Sequence, residues 1–400
     1  MRLLIADAFP ENILTTFTAL GLSVDLQPQL SAEDLPNAIG DATILIVRST
    51  KVIRKTIEAA SKLELIVRAG AGVDNIDVAA ASERGIYVAN CPGKNSVAVA
   101  ELTMALLLAI DRRVPHATSD LRAGKWNKKE YSKADGLKGK TLGIVGFGAI
   151  GRLVAKRAQA FDMHVACFNV PALGEEEAAD LDVDPCLTLG ELAERSDVVS
   201  VHVPGIAETQ GICGEAFFAK MRPGSIFLNT SRGSVHDEGA LVRAMTEKGL
   251  RVGLDVFAKE PSGGTGEFLP EIAALPGFVG THHIGASTEQ AQNAIATECV
   301  RICRDFVSTG VAPNVVNIER HSAAKTRLIV RHYDKVGVLA NVLGVIRNHG
   351  GNVEQMTNTM FEGAKTAVAV VRLSGPPSTE LVAEIAQLEG QVIQVGVKNA

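Results

Sequence analysis

The sequence predicts an α/β protein with two doubly wound parallel sheets and a small C-terminal unit. Short apolar segments alternate with segments of helical periodicity over residues 1–317, and this alternation is typical of parallel strands covered by helices. A glycine motif at residues 146–151 lies between one such apolar segment and a helical one. Residues 326–400 carry the order strand, helix, strand, strand, helix, strand, which is the split ferredoxin-like arrangement.

The first unit begins at the N-terminus. Its strands are predicted at residues 3–6, 44–47, 65–67 and 86–89, with helices such as 11–20 and 55–60 between them. A long helix at about 95–110 leads out of this unit, and a helix at about 288–307 returns the chain to it. We therefore predict a discontinuous substrate-binding domain of residues 1–95 and 286–317, with a ligand cleft between it and the next domain.

The glycine motif opens the second unit, residues 96–285. Its glycines, Gly146, Gly148 and Gly151, follow the apolar run 141–145 and precede apolar positions at helical spacing. Gly146 permits a tight turn, Gly148 lets the backbone approach a pyrophosphate, and Gly151 lets the helix pack on the strand. The helix N-terminus attracts the phosphates. Six strands are predicted, at residues 142–145, 164–168, 198–203, 226–229, 252–256 and 279–282, which completes a Rossmann dinucleotide-binding fold.

The third unit, residues 326–400, follows a polar stretch at 318–325 that is predicted to be a linker. Its strands are predicted at residues 326–331, 353–360, 367–373 and 391–397, and its helices at 336–349 and 381–388. A unit of this size has a small core. We therefore expect it to gain stability by pairing with a copy of itself.

Composition narrows the class of protein. The chain has 400 residues, 46% hydrophobic and 21% charged, which is ordinary for a globular protein. A net charge of -5 argues against nucleic-acid binding. The six cysteines form no CxxC pair, which favours buried thiols in a reducing compartment. The apolar stretch 97–110 contains Glu101 and is too short to span a bilayer. These features predict a cytoplasmic protein without a membrane partner.

Polar residues that could carry chemistry follow the strands of the second unit. Asn169 ends the second strand, where a carboxylate normally binds the adenosine ribose and repels a 2′-phosphate. It could bond the ribose without excluding NADP, or it could be a turn residue only. Arg232 follows the fourth strand and could hold a carboxylate or lie on the surface. Glu260 with His282 or His283 could form an acid–base pair, and chemistry alone leaves the choice of histidine open.

The order of several motifs carries a resemblance. They are Arg-Ala-Gly-Ala-Gly-Val-Asp-Asn-Ile-Asp at residues 68–77, Gly-Lys-Thr-Leu-Gly at 139–143, the glycine motif, Asn-Thr-Ser-Arg-Gly at 229–233, Asp-Val-Phe at 255–257 and His-Ile-Gly-Ala-Ser-Thr at 283–288. In this order they resemble the D-isomer-specific 2-hydroxyacid dehydrogenases over roughly residues 1–317. The resemblance implies a flavodoxin-like substrate domain, a Rossmann NAD domain and oxidoreductase activity. Within the family, it is closest to members that oxidise D-3-phosphoglycerate to 3-phosphohydroxypyruvate, which begins serine biosynthesis.

The resemblance also assigns roles to individual residues. It selects His283 as the acid–base residue, Glu260 as the stabiliser of its imidazolium and Arg232 as the anchor of the hydroxyacid. Asp255 is expected to contact the nicotinamide carboxamide, and we expect NAD as cofactor and no metal. The cofactor contacts that it implies are Gly146, Gly148, Ala149, Ile150, Gly151, Asn169, His202, Val203, Thr209, Thr230, Ser231, Arg232, Asp255, His283 and Gly285.

A phosphorylated substrate needs cations. The segment that begins at Arg48 resembles a phosphate-binding segment of the family, Asn95 matches a substrate-contacting Asn, and Lys128 lies in a segment expected to reach the neighbouring subunit's site. Lys51 and Lys128 could equally be solvated lysines. The substrate contacts implied are Arg48, Ser49, Lys51, Arg68, Gly70, Gly72, Asn95 and Lys128.

The C-terminal unit resembles an ACT domain, which often binds amino acids between paired copies. His332, Asp334 and Asn352 are the expected effector residues. In serine-sensing versions Asn usually stands where this chain has Asp334, and a carboxylate there would repel the carboxylate of the ligand. Both L-serine inhibition and a purely oligomerising role remain open. The resemblance implies a homodimer, which pairing of ACT domains could extend to a tetramer.

Two other functions compete with phosphoglycerate oxidation. The chain could reduce an unphosphorylated oxoacid such as glyoxylate or hydroxypyruvate. Alternatively, it could be a transcriptional corepressor that binds NAD as a signal. The presence of Arg48 and Arg68 argues against the former, and the complete set of Arg232, Glu260 and His283 argues against the latter.

Overall fold

The computed structural model describes residues 1–261, 265–319 and 326–399. The chain divides into two compact units, Met1–Asn317 and Ile318–Ala400. From residue 320 onward, the predicted linker at 318–325 lies outside the described residues, as does residue 400 of the predicted C-terminal domain.

The first sheet of the larger unit has five parallel strands in the order β2-β1-β3-β4-β5. The strands are β1 (Arg2–Ile5), β2 (Ser23–Leu26), β3 (Ile44–Val47), β4 (Leu65–Arg68) and β5 (Tyr87–Asn90), and the helices are α1 (Glu11–Ala19), α2 (Leu35–Ala38), α3 (Arg54–Ala59) and α4 (Val78–Glu83). This order is flavodoxin-like, as predicted. Strand β2 was missed because it is an edge strand with little apolar character, and its Asp25 pairs with Arg2 at 2.7 Å.

Three helices lead to the second sheet: α5 (Ser96–Asp111), α6 (Val114–Arg122) and α7 (Lys128–Tyr131). The predicted long helix is confirmed as α5, and most of its residues are buried. The sequence did not predict α6 and α7. Trp126, just before α7, is 82% exposed, and Leu121 of α6 is 58% exposed. Because these apolar side chains do not face inward, this part of the chain shows little of the apolar periodicity by which a helix is predicted.

The second sheet is the Rossmann sheet, with seven parallel strands in the order β12-β11-β10-β9-β6-β7-β8. The strands are β6 (Thr141–Val145), β7 (His164–Phe168), β8 (Asp184–Pro185), β9 (Val198–Val201), β10 (Ile226–Asn229), β11 (Arg251–Leu254) and β12 (Phe278–Gly280). The helices are α8 (Ala149–Gln159), α9 (Glu175–Asp180), α10 (Leu189–Arg195), α11 (Glu215–Lys220) and α12 (Glu238–Lys248), and 3-10 turns lie at Ala207–Thr209, Gly233–Val235 and Glu271–Ala274. Six of the strands were predicted; β8, two residues long and exposed, was not.

Helix α13 (Glu289–Thr309) follows the second sheet. Its buried Ile295, Cys299 and Phe306 share a hydrophobic core with strands of the first sheet, and it contacts α1. The chain thus crosses twice between the two sheets. The boundaries at residues 95, 285 and 317 remain a prediction.

The smaller unit is a four-stranded antiparallel sheet in the order β14-β15-β13-β16. Its elements are β13 (Thr326–Tyr333), α14 (Val338–Asn348), β14 (Val353–Met360), β15 (Thr366–Leu373), α15 (Thr379–Ala386) and β16 (Val392–Asn399). The predicted βαββαβ order is confirmed. Buried side chains of β13 and β15 alternate along each strand, because one face of the sheet packs against the two helices.

All six cysteines are buried free thiols, as predicted. Among the described residues, no helix combines the length and apolarity that crossing a membrane requires.

Candidate active site

The glycine loop between β6 and α8 can receive a pyrophosphate. Gly146 has φ +91°, and a Cβ there would lie 2.8 Å from the carbonyl oxygen of His202, so the turn admits only glycine. A Cβ on Gly151 would overlap the Gly146 carbonyl oxygen, whereas a Cβ on Gly148 would meet nothing within 4 Å. Open space therefore lies in front of Gly148, at the N-terminus of α8, which no side chain caps. Free N–H groups and the helix dipole suit this space to phosphates, and Ala149 and Ile150 form the first turn beside it.

Asn169 holds the glycine loop. Its Oδ1 accepts the Phe147 N–H at 2.9 Å, and its Nδ2 donates to the Pro171 carbonyl oxygen at 2.9 Å. The amide is therefore a structural clamp whose remaining hydrogen-bonding capacity faces partly into solvent. It carries no negative charge that would exclude a 2′-phosphate.

His202, Val203 and Thr209 follow β9 beside this loop. The Nε2 of His202 lies 2.8 Å from Ser200 Oγ, and burial lowers the pKa of His202 to about 3, so its ring is neutral at neutral pH. Its buried Nδ1 has no hydrogen-bond partner among the described residues. Val203 would contact a Cβ on Gly146. Thr209 Oγ1 donates to the Pro204 carbonyl oxygen at 2.5 Å and thereby closes the turn.

The loop that carries Arg232 is fixed by buried Asn229 at the end of β10. Asn229 Oδ1 accepts the Ser231 N–H at 2.9 Å and the Ser231 hydroxyl at 2.8 Å. Its Nδ2 donates to the Arg232 carbonyl oxygen at 2.8 Å and to Nδ1 of His236 at 3.0 Å. Thr230 bonds Thr103 of α5 at 2.9 Å. Since an amide that satisfies four partners has one orientation, the backbone of this loop is tightly defined.

His283 and Glu260 form a hydrogen-bonded pair. The Nδ1 of His283 lies 2.7 Å from Glu260 Oε2, and the other carboxylate oxygen accepts the Phe257 N–H at 2.9 Å. Burial acts to raise the pKa of Glu260, but these hydrogen bonds outweigh burial and hold that pKa below its ordinary value. A carboxylate at this position requires a proton on Nδ1 of His283. The Nε2 of His283 is left to exchange a proton with a ligand. His282 has no hydrogen bond to Glu260 among the described contacts.

The turn at His283 depends on Asp255, which is 1% exposed. The Asp255 carbonyl oxygen accepts the His283 N–H at 2.7 Å, and its carboxylate accepts the N–H groups of Ile284 and Gly285 at 2.8 and 2.9 Å. Thr281 donates to the same carboxylate at 2.6 Å. His283 has φ +53°, a conformation that a non-glycine residue holds only when its surroundings impose it. Asp255 therefore orients the imidazole of His283 through the backbone of this turn. This role does not depend on any contact between Asp255 and a cofactor.

Arg232 lies opposite this pair and contacts the first sheet's domain. Its Nε donates to Asp74 Oδ2 at 2.9 Å, and its Nη1 donates to the Ser231 carbonyl oxygen at 2.8 Å. The next residue, Gly233, packs so tightly that a Cβ there would overlap the carbonyl of Phe257. The loops of Arg232 and Glu260 are therefore in direct backbone contact.

Two further guanidinium groups, those of Arg48 and Arg68, lie at the ends of strands of the first sheet and near Arg232. Arg68 ends β4 and folds back over Gly70, where a Cβ would overlap it. Its buried Nε has no partner among the described residues. Burial lowers the pKa of Arg68, and the charges of Arg232 and Arg48 lower it further while Asp74 opposes them. The three arginines and Asp74 thus form one electrostatic cluster.

Arg48 follows β3 at the mouth of the cleft. Its Nη2 lies 3.4 Å from the hydroxyl of Ser287, in the loop that carries His283. Asp7 accepts the N–H groups of Arg48, Ser49 and Thr50 and so shapes this turn. Arg48 also lines a cleft of about 410 Å³ that extends to α13.

The remaining predicted substrate residues have fewer contacts that fix their side chains. Ser49, Lys51 and Lys128 are exposed, and neither lysine forms an ion pair within the described parts of the chain. Asn95 occupies the N-cap of α5, but its side chain does not cap the helix. The loop that contains Gly70 and Gly72 is fixed by Asn90, whose side chain donates to the Ala71 carbonyl oxygen at 2.6 Å.

The predicted effector residues lie in the smaller unit. His332 is buried at the end of β13, with its Nδ1 2.9 Å from the Tyr333 carbonyl oxygen and its Nε2 3.0 Å from the side chain of Asn358. Asp334 follows it directly. Asn352 lies at the opposite end of the sheet, because its neighbour Val353 pairs with Leu373 whereas His332 pairs with Ala367. One protomer therefore does not bring all three residues together.

The sequence did not predict five residues whose side chains contact the loops of the candidate active site: Asp74, Asn90, Asn229, His236 and Ser287. Asp74, Asn229 and Ser287 lie inside the motifs that carried the resemblance. Their place in those motifs was the only feature of the sequence that could have indicated them. No group of three or more metal-ligating side chains lies together among the residues that the structure describes.

Comparison with known proteins identifies the family. Residues 104–285 match the model "D-isomer specific 2-hydroxyacid dehydrogenase, NAD binding domain". A D-3-phosphoglycerate dehydrogenase of Methanocaldococcus jannaschii is 41% identical over 320 residues, 80% of this chain and 60% of the relative. A hydroxypyruvate reductase of Thermotoga maritima is 44% identical over 273 residues, 68% of this chain and 87% of the relative.

A solved structure agrees. The NAD⁺-bound 3-phosphoglycerate dehydrogenase of Entamoeba histolytica superposes with a TM-score of 0.67 at 29% identity, covering 80% of this chain and 99% of that one. The chain spans about three fifths of the length of the phosphoglycerate dehydrogenase from M. jannaschii. It belongs to the D-isomer specific 2-hydroxyacid dehydrogenase family, and its second sheet lies in the family's NAD-binding domain.

Proposed function

We propose that the protein is an NAD-dependent dehydrogenase of D-3-phosphoglycerate. The observation that carries this proposal is that His283 bonds Glu260, that Arg232 lies close enough for its charge to lower the pKa of Glu260, and that the charges of Arg232 and Arg48 act together on Arg68. The first three suit oxidation of any 2-hydroxyacid, and the last two suit a substrate with a second anionic group.

His283 is the group that takes the substrate's proton, and Glu260 stabilises the charge that this creates. The Nε2 of His283 accepts the proton of the 2-hydroxyl group, and the resulting imidazolium is stabilised by Glu260 through the 2.7 Å contact at Nδ1. Bound NAD supplies the hydride acceptor. The glycine loop, with Asn169, His202, Val203, Thr209, Thr230 and Ser231, would hold NAD along the edge of the sheet, and Asp255 and Gly285 would hold its nicotinamide end.

Arg232 binds the carboxylate of the hydroxyacid. Holding the reacting carbon close to its hydride acceptor can lower the barrier by on the order of 7–11 kcal/mol in ideal cases. Arg48, with Ser49 and Lys51, would bind the phosphate, and the contact of Arg48 with Ser287 brings its guanidinium to the loop of His283. Gly70, Gly72 and Asn95 complete the substrate side, and Lys128 would act in a partner's site.

A second candidate is reduction of an unphosphorylated oxoacid. The hydroxypyruvate reductase from T. maritima supports it, because this chain covers 87% of that protein at 44% identity. Its distinguishing requirement is that Arg48 and Arg68 serve the carboxylate or the fold rather than a phosphate.

The smaller unit is proposed to be an ACT domain that pairs with a copy of itself. Since Asn352 lies at the far end of the sheet from His332 and Asp334, an effector that used all three would need residues from two copies. L-serine is the proposed effector, in a homodimer or homotetramer.

One assay tests these proposals. The purified protein is given 3-phosphohydroxypyruvate, hydroxypyruvate or glyoxylate with NADH or NADPH, with and without L-serine. We expect the largest kcat/KM for 3-phosphohydroxypyruvate with NADH. Equal or better turnover of the unphosphorylated acids would favour the reductase, and no effect of serine would leave the smaller unit an oligomerising one.

A further inference from the structure

Asp74 makes an ion pair that joins the two walls of the cleft. It accepts a hydrogen bond from Nε of Arg232 at 2.9 Å, between residues 158 positions apart in the chain. Asp74 is 59% exposed and Arg232 is 30% exposed, so the pair lies at the surface of the cleft and not in the core. An exposed ion pair contributes little to stability. Its effect must therefore be sought in the orientation of Arg232.

The geometry of the pair determines which edge of the guanidinium remains available. Asp74 occupies Nε, and the Ser231 carbonyl oxygen accepts one proton of Nη1. The side-on fork, made of Nε and one terminal nitrogen, is thus closed. The end-on fork, made of Nη1 and Nη2, still offers two N–H groups, and a carboxylate can accept both.

Gly72 is required for this arrangement. A Cβ at Gly72 would overlap Nη2 of Arg232 and would lie 2.8 Å from Asp74 Oδ2. The bare Cα therefore makes the space in which guanidinium and carboxylate meet. The three arginines also repel one another, and Asp74 is the carboxylate whose charge opposes that repulsion at Arg68.

We propose that Asp74 is a positioning residue that presents the end-on fork of Arg232 to the carboxylate of the 2-oxoacid or 2-hydroxyacid. This inference rests on the proposed function for the identity of the substrate, but it concerns only the carboxylate that all candidate substrates share. A carboxylate that competed with the substrate would occupy the terminal nitrogens, whereas Asp74 binds Nε and leaves them open.

The test compares D74A, D74N and G72A with the wild type. Glyoxylate reduction is measured as kcat and KM, NADH affinity by fluorescence, and oxalate affinity by calorimetry on the NADH-saturated protein. Misplacing a binding group by about 1 Å costs on the order of 100-fold, so we expect D74A and G72A to lose about 10- to 100-fold in kcat/KM. Oxalate affinity should fall in parallel while NADH affinity and the thermal midpoint stay unchanged.

D74N distinguishes the effect of the hydrogen bond that orients Arg232 from the effect of the negative charge at position 74. The amide oxygen in this variant can still accept the proton of Arg232 Nε. We expect it to recover most of the loss seen in D74A. The matched control is E83A, which removes a carboxylate from an exposed ion pair with Arg54 in the same domain and should leave kcat, KM and oxalate affinity unchanged.

Two results would overturn the inference: unchanged oxalate affinity in D74A, or tighter oxalate binding, which would make Asp74 a competitor of the substrate. If the wild type reduces no 2-oxoacid but its oxalate affinity still depends on Asp74, the proposed function fails and the role of Asp74 stands.

Discussion

The two walls of the active cleft are built in different ways. On the wall of the second sheet, the loops of Arg232 and His283 are each fixed by a buried residue: the side chain of Asn229 makes four hydrogen bonds, and Asp255 accepts three at its carboxylate and one at its carbonyl oxygen. On the wall of the first sheet, Lys51 is exposed and Arg48 has one long side-chain contact. The loops of Arg232 and His283 are therefore more tightly fixed than the side chains of Arg48 and Lys51 that face them.

The largest expected effect comes from the rigid wall. His283→Ala should lower kcat by about 100- to 10,000-fold, the range for loss of a general acid–base group, with NADH affinity nearly unchanged. His282→Ala is the matched control, because it alters the adjacent exposed ring and should turn over normally. Near-normal kcat in His283→Ala would remove this residue from proton transfer.

A smaller and selective effect is expected from the solvated wall. Arg48→Ala should lower kcat/KM for 3-phosphohydroxypyruvate by about tenfold or more, as expected from charge-assisted hydrogen bonds worth about 1.5–3 kcal/mol. Glyoxylate reduction should change much less. Arg54→Ala, at an exposed arginine paired with Glu83, controls for loss of positive charge. Equal losses with both substrates would contradict a phosphate-binding role for Arg48.

Glu298 is a buried carboxylate of α13, and its partner Asn314 also donates to the carbonyl oxygen of Asn90 at the end of β5. Hydrogen bonds from Arg301 first, then Asn314 and Lys94, lower the pKa of Glu298 to about 2, against burial. Because the folded-state pKa lies below the ordinary value, this stabilisation is present above about pH 4.5 and is lost as the pH falls towards about 2. We expect Glu298→Gln to lower the free energy of unfolding by about 2 kcal/mol at pH 7.

Urea unfolding measured from pH 7 down to pH 3 checks this. The difference between Glu298→Gln and the wild type should shrink as the pH falls. A difference that is constant with pH would mean that packing, not the charge, is responsible.

The smallest effect is expected at the ribose end of the cofactor site. Asn169→Asp keeps an acceptor for the Phe147 N–H and adds a negative charge that opposes a 2′-phosphate. The ratio of kcat/KM for NADH over NADPH should rise severalfold. Asn169→Ala, which removes the clamp without adding charge, should weaken both cofactors alike. Unchanged ratios in Asn169→Asp would show that this side chain does not read the ribose.

The sequence predicted the features that are determined by residues close to one another in the chain. The buried parallel strands are apolar runs, and the glycine loop has a fixed spacing, so the sequence predicted both sheets and the turn between β6 and α8. Strands β2 and β8 are short edge strands with polar or proline residues and gave no such signal. The bond between Asp74 and Arg232, and the crowding of Gly72 by that arginine, arise only when distant segments meet. The choice between His282 and His283 likewise needed the family pattern, whereas in the structure it is His283 that bonds Glu260.

The backbone contact at Gly233 has a consequence for how such a site can diversify. Because a Cβ on Gly233 would overlap the Phe257 carbonyl, main-chain atoms set the separation between the turn of Arg232 and the turn that leads to Glu260. Variation at the facing residues 48–51 and 68–74 would therefore leave the separation of these two turns unchanged.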